Sequence, residues 1–109
     1  MIEVVIDSDY LVEKIANISA LVNNMEKNWH ISGIQEDMDK CYGIAQMAKK
    51  YRNRIYRTRA KYLMAHEFYK MDGSKSKLED LKEHERLISA DILMVEYLNY
   101  KWLEVLGEI

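Results

Sequence analysis

Apolar residues recur at Leu11, Ile15, Ile18, Val22, Met25 and Trp29, in alternating steps of four and three. Such steps return to one side of a helix, so the spacing predicts a first helix from Ser8 to about Trp29. Ahead of it, Ile2, Val4 and Ile6 alternate as in a short strand, but no other segment offers a strand to pair with, and an extended lead-in fits equally. The stretch HISGIQ breaks the helical pattern. Within it, Ser32 and Gln35 have the Ser-x-x-Gln spacing of a capping box, which predicts a second helix from near Gly33. Nothing interrupts that helix until MDGSKS, where Gly73 offers the left-handed residue that closes a helix after Met71. Its expected length is about 55 Å at ~1.5 Å per residue.

Ser76 and Glu79 repeat the capping-box spacing and open a third helix reaching about Leu106, with Leu81, Ile88, Ile92, Val95, Trp102 and Leu106 on one stripe. A second stripe of Leu87, Met94, Leu98 and Val105 lies beside the first, an apolar surface too broad for a single partner helix. The predicted fold class is all-α. Residues 1–109 form one domain, a three-helix bundle whose two long antiparallel helices protrude as a hairpin arm. Counting outward from each turn places the first helix against the first half of the second. Roughly Tyr56 to Met71 with Ser76 to Asp91 then remain as the arm. An isolated helix pair buries little apolar area, so a second copy of the chain, making a homo-oligomer, or another protein is expected to cover it. Tyr62, Phe68, Tyr69 and Met71 near the tip are the expected partner contacts.

Composition supports the helical reading: the chain of 109 residues has no proline and only 4 glycines, so little in it forbids helix. No stretch approaches the ~20 uninterrupted apolar residues of a membrane-spanning helix, and the opening MIEVVIDSDY lacks the marks of a signal peptide. No membrane association and a cytoplasmic location are therefore expected. The single Cys41 has no second cysteine to pair with and is expected to act as a small buried hydrophobe.

The net charge of −2 conceals an asymmetry, because Lys49 to Lys61 holds seven basic residues and no acidic one. On a helix, Lys50, Arg54, Arg57 and Lys61 follow at steps of four, three and four and form one narrow ridge. Ile44, Ala48, Tyr51, Ile55, Tyr62 and Tyr69 share a separate, core-directed face. Like charges so spaced repel one another unless a polyanion or an acidic surface neutralises them, which points to a phosphate backbone, DNA or RNA. Tyr56, read as lying beside the ridge, is the candidate for stacking on a base. The competing reading pairs the ridge internally: the same counting brings Asp7, Asp9 and Glu13 near Tyr56, Arg54 and Lys50, while Asp91 and Glu96 approach from the third helix.

Catalytic chemistry finds no constellation in this chain. The histidines lack the Glu-x-x-His spacing of di-iron bundles, Cys41 has no paired histidine, and neither a glycine-rich phosphate loop nor a Gly-x-Ser-x-Gly elbow occurs. No enzyme activity, no metal and no cofactor are expected. Glu79, Asp80, Glu83 and Glu85 stand in the opening turns of the third helix, where negative charge favours the helix dipole.

The run AKKYRNRIYRTRAKYLMAHEFYKMDGSKSKLEDLKEHERLISADILMVEYLNYKWLEVL joins a long basic helix with Tyr and Ala, a glycine-containing turn and a return helix of acidic and apolar character. In this it resembles small all-helical accessory proteins encoded by tailed phages, of the replication, recombination or host-takeover type. The resemblance covers about the last 60 residues and leaves the first helix outside. It implies either handling of single-stranded DNA or control of a host or phage protein on which the helical hairpin docks.

Overall fold

A computed structural model describes residues 8–73 and 75–108, with side chains from Leu11 onward. Three helices follow in order: α1 over Ser8–Asn28, α2 over Gln35–Asp72 and α3 over Lys75–Val105. No strand occurs among the described residues. The alternation of Ile2, Val4 and Ile6 lies outside them.

The predicted stripes meet, except that Leu87 of the second stripe of α3 is exposed. Leu11, Ile15, Ile18, Val22 and Met25 of α1 are buried, and Trp29 packs against the same core half-buried. From α2 come Cys41, Ala45, Ala48, Ile55 and Tyr62, and from α3 Leu81, Ile88, Ile92, Val95, Leu98 and Trp102. Burial pushes the Cys41 thiol up from its ordinary value, and the nearby Asp37 adds to the shift. The molecule measures 57 × 21 × 17 Å. Its radius of gyration of 17.0 Å exceeds the about 13 Å of a compact chain this long, because the 38 residues of α2 run its whole length.

The turn between α2 and α3 forms as its sequence predicts: Gly73 adopts φ 62°, and its amide donates to the Tyr69 carbonyl at 2.7 Å. The Ser32–Gln35 capping box does not form. The Ser32 hydroxyl accepts from the Ile34 amide at 3.2 Å, Gly33 takes φ 73°, and α2 starts at Gln35 without a side-chain cap. The Gln35 amide donates to Asp39 at 2.7 Å instead of reaching back. Ser76 falls inside α3, whose first residue is Lys75. A serine hydroxyl that can serve a local turn competes with the cap it would otherwise make.

Counting from the first turn misplaces α1. Tyr56 meets Ser19, and Arg52 donates to Asn23 at 3.1 Å. Tyr56 is thus level with Ser19 rather than Asp7, a displacement of about 18 Å along the axis at ~1.5 Å per residue. The connection 29–34 accommodates this, since seven Cα steps can reach about 23–25 Å. The consequence is that α1 lies against the middle of α2, with Leu11 level with about Met64. The hairpin end left without α1 therefore begins near Ala65, not Tyr56.

Candidate nucleic-acid interface

Lys50, Arg54, Arg57 and Lys61 are all exposed on α2. Lys50, Arg54 and Arg57 line an open groove of 430 Å³ with Met47 and Tyr51. Lys61 lines a second groove of 210 Å³ with Met64, Phe68, Lys77, Asp80 and His84. The first groove is lined by α2 alone, and the second by residues of both α2 and α3.

The ridge is partly neutralised from within. Arg54 donates to Asp91 through Nε at 2.8 Å and Nη2 at 2.5 Å, a bidentate pair with the Asp91 side chain 5% exposed and the Arg54 side chain 56% exposed. Those hydrogen bonds and the Asp91 charge raise the Arg54 guanidinium further above its ordinary value. Arg54 also lies 5.0 Å from the centre of the Tyr51 ring. Arg52, outside the ridge, sits 3.7 Å from Glu26. Among the described residues no carboxylate pairs with Lys50, Arg57 or Lys61, and Glu13 and Glu96 reach none of the four ridge residues. Asp7 and the side chain of Asp9 lie outside the described residues. Three cations thus face solvent over about 16 Å of helix.

One aromatic assignment changes. Tyr56 is exposed, but its hydroxyl bonds Ser19 of α1, so it stands on the flank opposite the ridge and offers no base-stacking face beside it. Tyr51, read from the sequence as core-directed, packs half-buried against the core and also lines the basic groove. Its spacing of three residues from Arg54 was the signal for the second role.

The arm-tip residues divide. Phe68 and Met71 are 48% and 80% exposed, and Lys77 stands 5.4 Å from the Phe68 ring centre. Tyr69 is half-buried against the core. Tyr62, expected as a partner contact, is 2% exposed and donates to Glu85 at 3.4 Å, so it cannot anchor a partner. Its place at the α2–α3 seam follows from its register with Ile55, one of the most buried residues of α2.

Among the described residues no group of three or more His, Cys, Asp and Glu side chains could hold a metal ion, and no helix is long and apolar enough to cross a membrane. His66 stacks on Tyr62 with centroids 6.2 Å apart, and His30 meets Trp29 edge-on at 5.4 Å. Comparison of the chain with family models, with curated proteins and with solved structures finds no match, so the likeness to phage accessory proteins rests on the sequence pattern alone.

Proposed function

We infer that the chain is a non-enzymatic accessory protein that binds the phosphate backbone of nucleic acid with the exposed face of α2. The observation that carries this reading is the set Lys50, Arg57 and Lys61, three exposed cations on one side of a helix with no acidic partner among the described residues. Arg54 is half-open to solvent and adds a hydrogen-bond donor, but its charge is largely matched by Asp91.

Three phosphate contacts imply a log–log salt slope of about −2.7 on duplex or about −2 on a single strand, hence about a 40-fold loss on duplex between 50 and 200 mM salt. Arg57→Glu combined with Lys61→Glu abolishes binding and leaves the helical content unchanged. Arg54 is unsuitable for that purpose: its loss strands the buried Asp91 carboxylate and destabilises the fold. The cost is less than the about 3–5 kcal/mol of a fully buried pair, because water reaches the guanidinium. Absence of low-salt binding of the wild type to every oligonucleotide, single or double stranded, overturns the reading.

A second reading is favoured by the exposed Met64, Phe68 and Met71 at the free end of the hairpin. Apolar and aromatic side chains of this kind suit an adaptor or inhibitor that docks the arm on a host or phage protein. Phe68→Ala with Met71→Ala separates the two, since it releases a bound protein and leaves oligonucleotide binding intact.

A further inference from the structure

Gly43 lies in the interior of α2, where glycine is the least favourable residue after proline. Nothing in the single chain calls for it: φ there is ordinary, and a Cβ added at Gly43 meets no atom within 4 Å. It opens instead onto a groove of 390 Å³ formed with Ile44 and Met47 of α2 and Leu98 and Val105 of α3, rimmed by Asp39, Lys40, Lys101 and Glu104. Met47 stands 49% exposed at its edge. Val105 belongs, with Leu98, to the second apolar stripe of α3. A residue without a side chain, on an apolar groove, is where another backbone can approach closely.

The charges along the same face say which backbone. Glu36 lies seven residues before Gly43 and Lys50 seven after it, two turns either way and therefore on one side of the helix. Asp37 and Asp39 accompany Glu36, and Lys49 accompanies Lys50. Apart from Lys40, which is paired with Glu36, the sign of the charge thus reverses about Gly43. A second α2 laid antiparallel across that point brings Glu36 of each copy to Lys50 of the other, and Gly43 to Gly43, the self-complementary pairing of a two-fold interface. Among the described residues Glu36 is held by Lys40, at 3.4 Å and with both side chains more than half exposed, a pair weak enough to exchange.

We propose that the face of α2 centred on Gly43 is the docking surface for a second copy of this chain, the two α2 helices crossing antiparallel with reciprocal Glu36–Lys50 pairs. The exposed Ile31 and Ile34, just ahead of α2, add apolar area at the edge of this contact. The partner's α2 begins level with Tyr51, so Arg57 and Lys61 lie past that helix start, while Lys50 is taken by Glu36 and the dimer offers two of the three phosphate contacts per copy. The proposal does not rest on phosphate binding, because association is measured on the chain alone, free of nucleic acid.

The test is the mass of the purified full chain by sedimentation equilibrium over a range of concentrations. The expected result is a dimer of twice the 13.0 kDa chain mass. Gly43→Ala meets no atom of its own chain, so it keeps the helical content, and it weakens dimerisation because its methyl group stands where the partner's backbone approaches. Gly43→Leu keeps the helical content and weakens dimerisation by about tenfold or more, as overpacking a closed contact does. Lys50→Glu weakens it by about tenfold or more through like charges, and adding Glu36→Lys restores it. A wild type that stays monomeric at the highest concentration reached, a Gly43→Leu variant that dimerises unchanged, or a charge swap that fails to restore association each overturns the proposal.

Discussion

Tyr62 makes folding sensitive to alkali. Burial, reinforced by the charge of Glu85 and by the hydrogen bond to it, pushes its phenol up to about 12 from an ordinary 10.0. The folded state holds the proton more tightly than the unfolded chain, so the stabilisation is fully present below pH ~10 and is lost as pH rises through ~12. Denaturant titrations between those values should show the wild type losing stability more steeply than Tyr62→Phe, which has no proton to lose. Equal slopes would show that the phenol is not held in this way. The apolar spacing on α2 put Tyr62 on the core face, whereas the expected role as an exposed anchor came from its nearness to the arm tip. Burial decided between them, because a ring in register with Ile55 turns to the seam wherever along the helix it stands.

At the scale of the elements, the glycine that ends α2 is a conformational requirement and not a packing one. Gly73 holds φ 62°, yet a Cβ there would meet nothing within 4 Å. Gly73→Ala is therefore expected to cost about 1–2 kcal/mol from backbone strain alone, and Gly73→Asn less, since asparagine tolerates the left-handed region better. Urea unfolding of the three chains measures the order, and an alanine variant as stable as wild type would contradict it. This turn was legible because its conformation is set by one residue. The starts of α2 and α3 were less so. Ser32 has the cap spacing, but its hydroxyl, within reach of both backbone groups of Ile34, serves the local turn, and α3 starts at Lys75, ahead of Ser76.

For the whole molecule, what matters is how far α1 reaches. It covers the middle of α2 and leaves the hairpin end from about Ala65 to Asp80 as a two-helix stretch, where the buried Leu78 stands outside the main core cluster. Amide hydrogens there are expected to exchange markedly faster than those of residues 50–60 and 88–98, because opening the tip exposes little of the shared core. Uniform protection along α2 would mean that the arm is covered in solution. The same placement of α1 decides the electrostatics. Its displacement toward the arm leaves Arg52 as the basic residue that meets an α1 carboxylate, Glu26, while α3 supplies Asp91 to Arg54.

The sequence by itself determined the three helices, the stripes that became the core, the glycine turn and the basic face of α2. Each depends on residues within a few positions of one another, where helical periodicity fixes which side they share. Only the tertiary structure decided the height at which α1 docks, that Ser19 is the partner Tyr56 meets, and which cations keep their charge for an outside ligand. Those depend on axial register across a six-residue connection, and a connection that can span more than 20 Å leaves the register to be set by packing over the whole length of the helices.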